Sequence, residues 1–246
     1  MLRPNVPDTV RPVTAPTSDP LGWLSDLEGV PSAFAATRDG IDALLRDRGM
    51  RRTSPAQTTQ SLLRGAHASA VLEGSGSTRE EVESGSGDDL ARSAVRMSTE
   101  LLALVPVMGR SPAQALARLH VLAGGSGAPA SPAGAERVQS LSRTLLASSS
   151  PALLVAAVVH ADLLTTRPFG AYDGLVARSA ERLVLVSRGL DPASLVVPEA
   201  GHLALREAYE SNLRAYRDGG PSGLHAWLLY AAEAQARGAE LSPLNT

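Results

Sequence analysis

The stretch Arg167-Pro168-Phe169-Gly170-Ala171-Tyr172-Asp173-Gly174-Leu175-Val176-Ala177-Arg178 decides how the chain is read, because it ends one apolar helix and starts another. Upstream, Pro151 opens a segment holding Leu153, Leu154, Ala157, Val158, Ala161 and Leu164. It is apolar on nearly every face, which predicts a central, buried helix. The residue before a proline is biased away from helix, so this one ends near Thr166, ahead of Pro168. A turn containing Gly170 and Gly174 follows, then a helix to about Arg188 with Gly189 as its stop. His160 reads as a hydrogen-bonded core histidine, and its neighbour Asp162 as a local cap or ion-pair partner.

Well before this stretch lies Ser69-Ala70-Val71-Leu72-Glu73-Gly74. It closes a helix that begins near Pro55 and carries Leu62, Leu63, Ala66, Ala70 and Val71 at helical spacing. Gly74-Ser75-Gly76-Ser77 stops that helix. Glu73 is thereby placed at a helix C-terminus, where the dipole favours cations, so its carboxylate needs solvent or a positive partner.

The remaining pattern is helical too. Residues 1 to about 20, broken by Pro4, Pro7, Pro12, Pro16 and Pro20, read as a disordered arm. Residues 21–54 form a helical extension, with Pro31 to Gly49 placing Phe34, Ile41, Leu44 and Leu45 near one face. Further helices are expected over Asp88 to about Val105, from a Ser111 cap with Pro112 in the first turn, over Pro198 to Asp218, and over Pro221 to about Arg237. Ser148-Ser149-Ser150 reads as a helix cap, and Trp227 and Tyr230 as core. A short β-hairpin is allowed around Val121. The glycine-rich run from Gly124 to Pro132 lacks the lysine of a phosphate-binding P-loop and reads as an ordinary loop. The expectation is a single all-α domain over residues 55–240, with 241–246 as a tail.

Composition narrows the function. With 246 residues, 43% of them hydrophobic, the chain can bury a core of its own. All 23 basic residues are arginine, yet the net charge is -2, which speaks against a nucleic-acid binder relying on phosphate neutralisation. The absence of cysteine excludes disulfides and thiolate chemistry. No apolar run approaches the roughly 20 residues of a membrane span, and the N-terminus lacks a signal-like apolar core, so a cytoplasmic location is expected. His67, His120, His202 and His225 show no zinc-ligand spacing such as H-E-x-x-H.

The central stretch resembles the motif H-P-F-x-[DE]-G-N-G-R-x-x-R of the Fic/Fido family, whose typical members transfer AMP from ATP to protein hydroxyls; Pro168, Phe169, Gly174 and Arg178 match in place. Ser69 to Gly74 resembles that family's inhibitory-helix pattern [ST]-x-x-x-E-[GN], here on a helix of about residues 55–74. Arg118 to Ala135 resembles its substrate-positioning flap. The resemblance implies that the first motif position is the general base, but Arg167 stands there, and a guanidinium neither titrates near neutrality nor accepts a proton. Ala171 stands where a carboxylate would hold magnesium, and Leu175 where an arginine would hold phosphate. Tyr172-Asp173-Gly174 replaces the phosphate-cradling Gly-Asn-Gly.

By this resemblance Gly174 and Arg178 are candidate nucleotide or anion ligands, and Ser69, Glu73 and Gly74 an inhibitory motif with Glu73 paired to Arg178. Arg167 and Asp173 occupy catalytic motif positions. No cofactor is assigned; the resemblance leaves ATP or another nucleotide open, and magnesium and other metals are not expected. Three functions stay open: a catalytically dead or impaired relative acting by binding, an active nucleotidyl- or phosphoryl-transferase using a rearranged site with Asp173 as base, and a helical interaction module without ligand. A protein partner and a homo-oligomer are both left open; nucleic acid and membrane are not expected as partners.

Overall fold

A computed structural model describes residues 19–46 and 54–245. They form α1 (Val30–Leu44), α2 (Pro55–Leu72), α3 (Arg79–Ser84), α4 (Asp89–Glu100), α5 (Val105–Met108), α6 (Pro112–Ala123), α7 (Pro132–Ala147), α8 (Ala152–Thr166), α9 (Asp173–Ser187), α10 (Pro198–Ala204), α11 (Arg206–Asp218) and α12 (Gly220–Glu240), joined by short 3-10 turns. No strand occurs among the described residues, so the fold is all-α.

α8 and α9 form the central antiparallel pair. Both lack a wide polar face, and α9 buries an unbroken run from Asp173 to Ala177 and on through Arg178. α12 closes one side, where the Trp227 indole donates to the Ala157 carbonyl at 2.9 Å. α2 lies against α4, α9 and α10. Its start is fixed by a capping box in which Ser54 and Gln57 satisfy each other's backbone donors. The extension shares this core: Phe34 and Ile41 of α1 are buried, and the Thr37 hydroxyl donates to the Ala232 carbonyl of α12. The tail also docks, as a 3-10 turn Pro243–Asn245 with Pro243 and Leu244 buried.

Several local expectations change. Val121 lies inside α6, whose helix continues to Ala123 and stops at Gly124, so the hairpin is replaced by a helix end and a strand-free loop. Ser111 precedes α6 but its side chain makes no cap bond. Ser148-Ser149-Ser150 does not cap α8, whose N-cap is Pro151. Instead the carboxylate of Asp19 accepts from the Ser149 amide and from the Ser149 and Ser150 hydroxyls, tying the chain's start to the α7–α8 junction. The arm as drawn to residue 20 therefore includes an anchor; its first 18 residues lie outside the described ones, as does the Gly49 stop. The helix expected from Pro198 to Asp218 breaks at Leu205 into α10 and α11. The one expected from Asp88 to about Val105 ends at Glu100 and continues as a 3-10 turn and α5.

Candidate functional site

The α8–α9 turn is pinned from several sides. Arg167, the C-cap of α8, adopts a left-handed conformation (φ 47°), and Tyr172, the N-cap of α9, does the same (φ 59°). Such geometry is unfavourable for residues with a Cβ and persists only when the surroundings impose it. Here Asp173 Oδ1 accepts from the Phe169 amide at 3.0 Å, closing the turn on itself. The Pro168 carbonyl accepts from the Ala130 amide, and Phe169 packs on His120 of α6 with ring centroids 4.5 Å apart. α7 approaches so closely that a Cβ on Gly134 would lie 2.4 Å from the Pro168 carbonyl oxygen.

Across this turn runs the ion pair of Glu73 and Arg178, 105 positions apart. Arg178 is 1% exposed and donates four hydrogen bonds: Nε to Ser69 Oγ (2.8 Å), Nη1 to the Tyr209 hydroxyl (3.2 Å), and Nη2 to the Ser69 carbonyl (3.2 Å) and to Glu73 Oε1 (2.5 Å). The carboxylate rests on the first turn of α9. A Cβ on Gly174 would lie 1.9 Å from Glu73 Oε1, so only glycine leaves room for it. This resolves the awkward position of Glu73, because the C-terminal end of one helix delivers its charge to the N-terminal end of another, beside a guanidinium.

Behind the pair lies a buried polar chain. The Tyr209 hydroxyl meets His160 Nε2 at 2.8 Å, and His160 Nδ1 meets Glu181 Oε2 at 2.6 Å. His202 Nε2 reaches the same oxygen at 2.9 Å, while its Nδ1 faces the Tyr230 hydroxyl. Gln235 Nε2 donates to Glu181 Oε1. One set of protons satisfies every contact: both tyrosines donate to imidazole, both imidazoles donate to an ionised Glu181, and Arg178 donates to Tyr209. Burial pulls His160 down to about 4 against the attraction of Glu181. Burial opposes the Glu181 charge, but the two histidines outweigh it and hold its carboxyl below the usual range. Burial also pushes Tyr209 up to about 12, keeping its proton available. His160, Glu181 and His202 are spaced closely enough to ligate a metal ion. Their ligand atoms are already matched by the protein, so the cluster is complete without one.

Beside the turn opens a cleft of about 480 Å³, between the end of α8, the start of α9 and α11. Arg167, Asp173, Gly174 and Glu73 line it, with Arg214 and Arg217 from α11. Asp173 Oδ2 and His120 Nε2 are buried without a hydrogen-bond partner. Burial raises the Asp173 pKa and lowers that of His120, while their mutual attraction opposes both shifts.

No protein-family model and no curated protein sequence matches this chain. Solved structures do. A Fic family protein from Desulfovibrio desulfuricans G20 superposes with a TM-score of 0.72 at 15% identity, covering 87% of this chain and 74% of that one. Fic-1 (residues 134–508) from C. elegans superposes with a TM-score of 0.66 at 12% identity, covering 86% and 71%. The chain has the Fic fold.

On that fold the sequence-derived residues separate into two groups. Ser69, Glu73, Gly174 and Arg178 come together as one clasp, buried at Arg178 and partly exposed at Glu73. Gly74 follows it in a left-handed conformation (φ 100°) that ends the helix. Arg167 and Asp173 face the cleft. Arg178, expected as a nucleotide anchor, does not reach the cleft wall, and an anion contacting it has to displace Glu73. Leu175 is 1% exposed and belongs to the hydrophobic core. Sequence reasoning missed Tyr209, Glu181, His202 and Gln235, which sit on four different helices with no common spacing. The signal was Arg178, Glu181 and Arg182 on one face of an otherwise apolar helix, which calls for buried partners.

Proposed function

We propose that this Fic-fold protein has lost AMP transfer and acts by binding, as a regulatory or partner-directed pseudoenzyme. The observation supporting it most is that Arg178, the one motif guanidinium kept in place, spends four hydrogen bonds on the protein itself. The cleft meanwhile offers arginine where proton abstraction needs a base. Ala171 brings no metal ligand, and Leu175 has turned into the core. Loss of all three functions together removes base, metal and phosphate anchor at once. Incubation with labelled ATP should leave the wild type and Glu73→Gly equally unlabelled, and likewise any protein added as target.

A transferase reading rests on one observation: Asp173 lines the cleft, and burial raises its pKa toward the range of a general base. Label that appears in the wild type and vanishes in Asp173→Ala would establish that reading and overturn the first. The reading as a helical interaction module predicts no small-molecule binding at all.

A further inference from the structure

A second cleft, of about 390 Å³, runs between α1 and the N-terminal end of α8 and shares no residue with the cleft at the α8–α9 turn. Buried Phe34, Leu153 and Leu154 form its floor, and exposed Pro31 and Pro151 its walls. The charges on its lining are Arg38, Asp39 and Asp42, one cation against two anions. Arg38 meets Asp42 at 3.7 Å, beyond hydrogen-bond length, and Asp39 makes no hydrogen bond or ion pair among the described residues. The cleft is thus apolar at its base and acidic at its rim. Trp23, two positions before the lining Ser25, adds an aromatic side chain that is 52% exposed.

The chain brings an occupant to this place. Asp19 is bonded to Ser149 and Ser150, and the next residue, Pro151, lines the cleft. The 18 residues ahead of Asp19, which lie outside the described ones, are therefore tethered at its edge. They contain Arg3-Pro4-Asn5-Val6-Pro7, two prolines at P-x-x-P spacing behind an arginine. Segments with this spacing dock as polyproline II in apolar and aromatic grooves, because proline has little backbone freedom left to lose. A flanking arginine then has an acidic rim to meet. Charge agrees, since Arg3 and Arg11 outnumber Asp8 in these residues, the reverse of the cleft lining. Length agrees too. Pro31 to Asp42 is 11 steps (42 minus 31) along α1, about 17 Å, and five residues of polyproline II span about 16 Å. Pro7 to Asp19 is 12 positions (19 minus 7), enough chain, at about 3 Å each, to reach any point of the cleft.

We propose that the cleft between α1 and α8 is the docking site of this chain's own arginine-flanked proline segment, residues 3–7, held near it by Asp19. The prolines meet the apolar floor, and Arg3 meets the Asp39 carboxylate. The tether makes a weak contact sufficient, because a short linker gives an effective concentration in the millimolar range, which keeps a site of about 0.1 mM affinity mostly occupied.

The chain has no cysteine, so paired cysteines report this contact in the full chain without background. Val6→Cys with Ala35→Cys, oxidised in dilute solution, should close a disulfide within one chain. It should do so about tenfold or more faster than Val6→Cys with Arg110→Cys, whose second thiol lies outside the cleft. Changing Pro4 and Pro7 to Ala should slow the closure severalfold. Asp39→Asn should slow it at low salt and leave it unchanged at high salt. Every variant should keep the wild-type melting temperature, which separates lost docking from lost fold. Equal closure by the two cysteine pairs, or closure indifferent to both the proline and the Asp39 changes, overturns the proposal. A disulfide-linked dimer in place of the closed monomer overturns it as well, by giving the cleft to the same segment of a second copy.

Discussion

Breaking the clasp from its two ends should cost different amounts. Replacing Glu73 by Gln leaves Arg178 with its bonds to Ser69 Oγ, the Ser69 carbonyl and Tyr209, so the guanidinium stays largely satisfied. The Glu73 side chain is also 26% exposed, so solvent already screens part of the attraction. The expected loss is about 1–2 kcal/mol. Replacing Arg178 by Leu instead removes four bonds, strands the Glu73 charge against the start of α9, leaves the Ser69 hydroxyl without its partner, and strips Tyr209 of one of its two partners, the bond to His160 remaining. That change should cost about 3–5 kcal/mol. In a chain of this size it is a fall in melting temperature of about 6–20 °C. Urea unfolding followed by circular dichroism, on the two single variants and the double variant, gives a coupling energy of about 1–2 kcal/mol. Equal losses from the two single changes, or zero coupling, would refute the view that the pair is one closed unit with its charge buried at the arginine.

Gly174→Ala should mimic Glu73→Gln, because its Cβ claims the carboxylate's place; combined with Glu73→Gln it should add less than its separate cost, as unfolding midpoints will show. Asp19→Ala should lower stability by about 1–2 kcal/mol, and a chain starting at Leu21 should melt below one starting at Asp19, since three contacts to Ser149 and Ser150 are lost. Stability should fall as the pH drops from about 6.5 to about 4, because the unfolded chain takes up a proton on His160 that the folded one refuses. Glu181 extends the loss below its ordinary value of 4.5, since its folded carboxyl resists protonation. Urea midpoints across this range should flatten above pH 4 in His160→Gln; an unchanged slope would place the titrating group elsewhere.

The sequence made the helices legible because their apolar spacing and their stops are local. The turn from Arg167 to Arg178 was legible for the same reason, and Glu73 announced a distant partner by standing at the wrong end of a helix. The Val121 region misled because a helix end followed by glycine-rich loop has the same composition as a hairpin. Ser148 to Ser150 misled because cap chemistry looks identical whether the acceptor is the next helix or an aspartate from the chain's start. Of the network around Glu181 only His160 was legible, as a hydrogen-bonded core histidine; its partners were not, since the network joins α8, α9, α10, α11 and α12 and depends on how they cross.

The position of Leu175 bears on any attempt to build the full motif into this chain. Histidine at 167 and a carboxylate at 171 would enter exposed positions that have room for them. Arginine at 175 would begin in hydrocarbon, at a site now 1% exposed, and would need neighbouring side chains to repack before its charge could reach the cleft. The missing base, carboxylate and arginine are thus not equivalent, since two are surface edits and the third is a redesign of the interior.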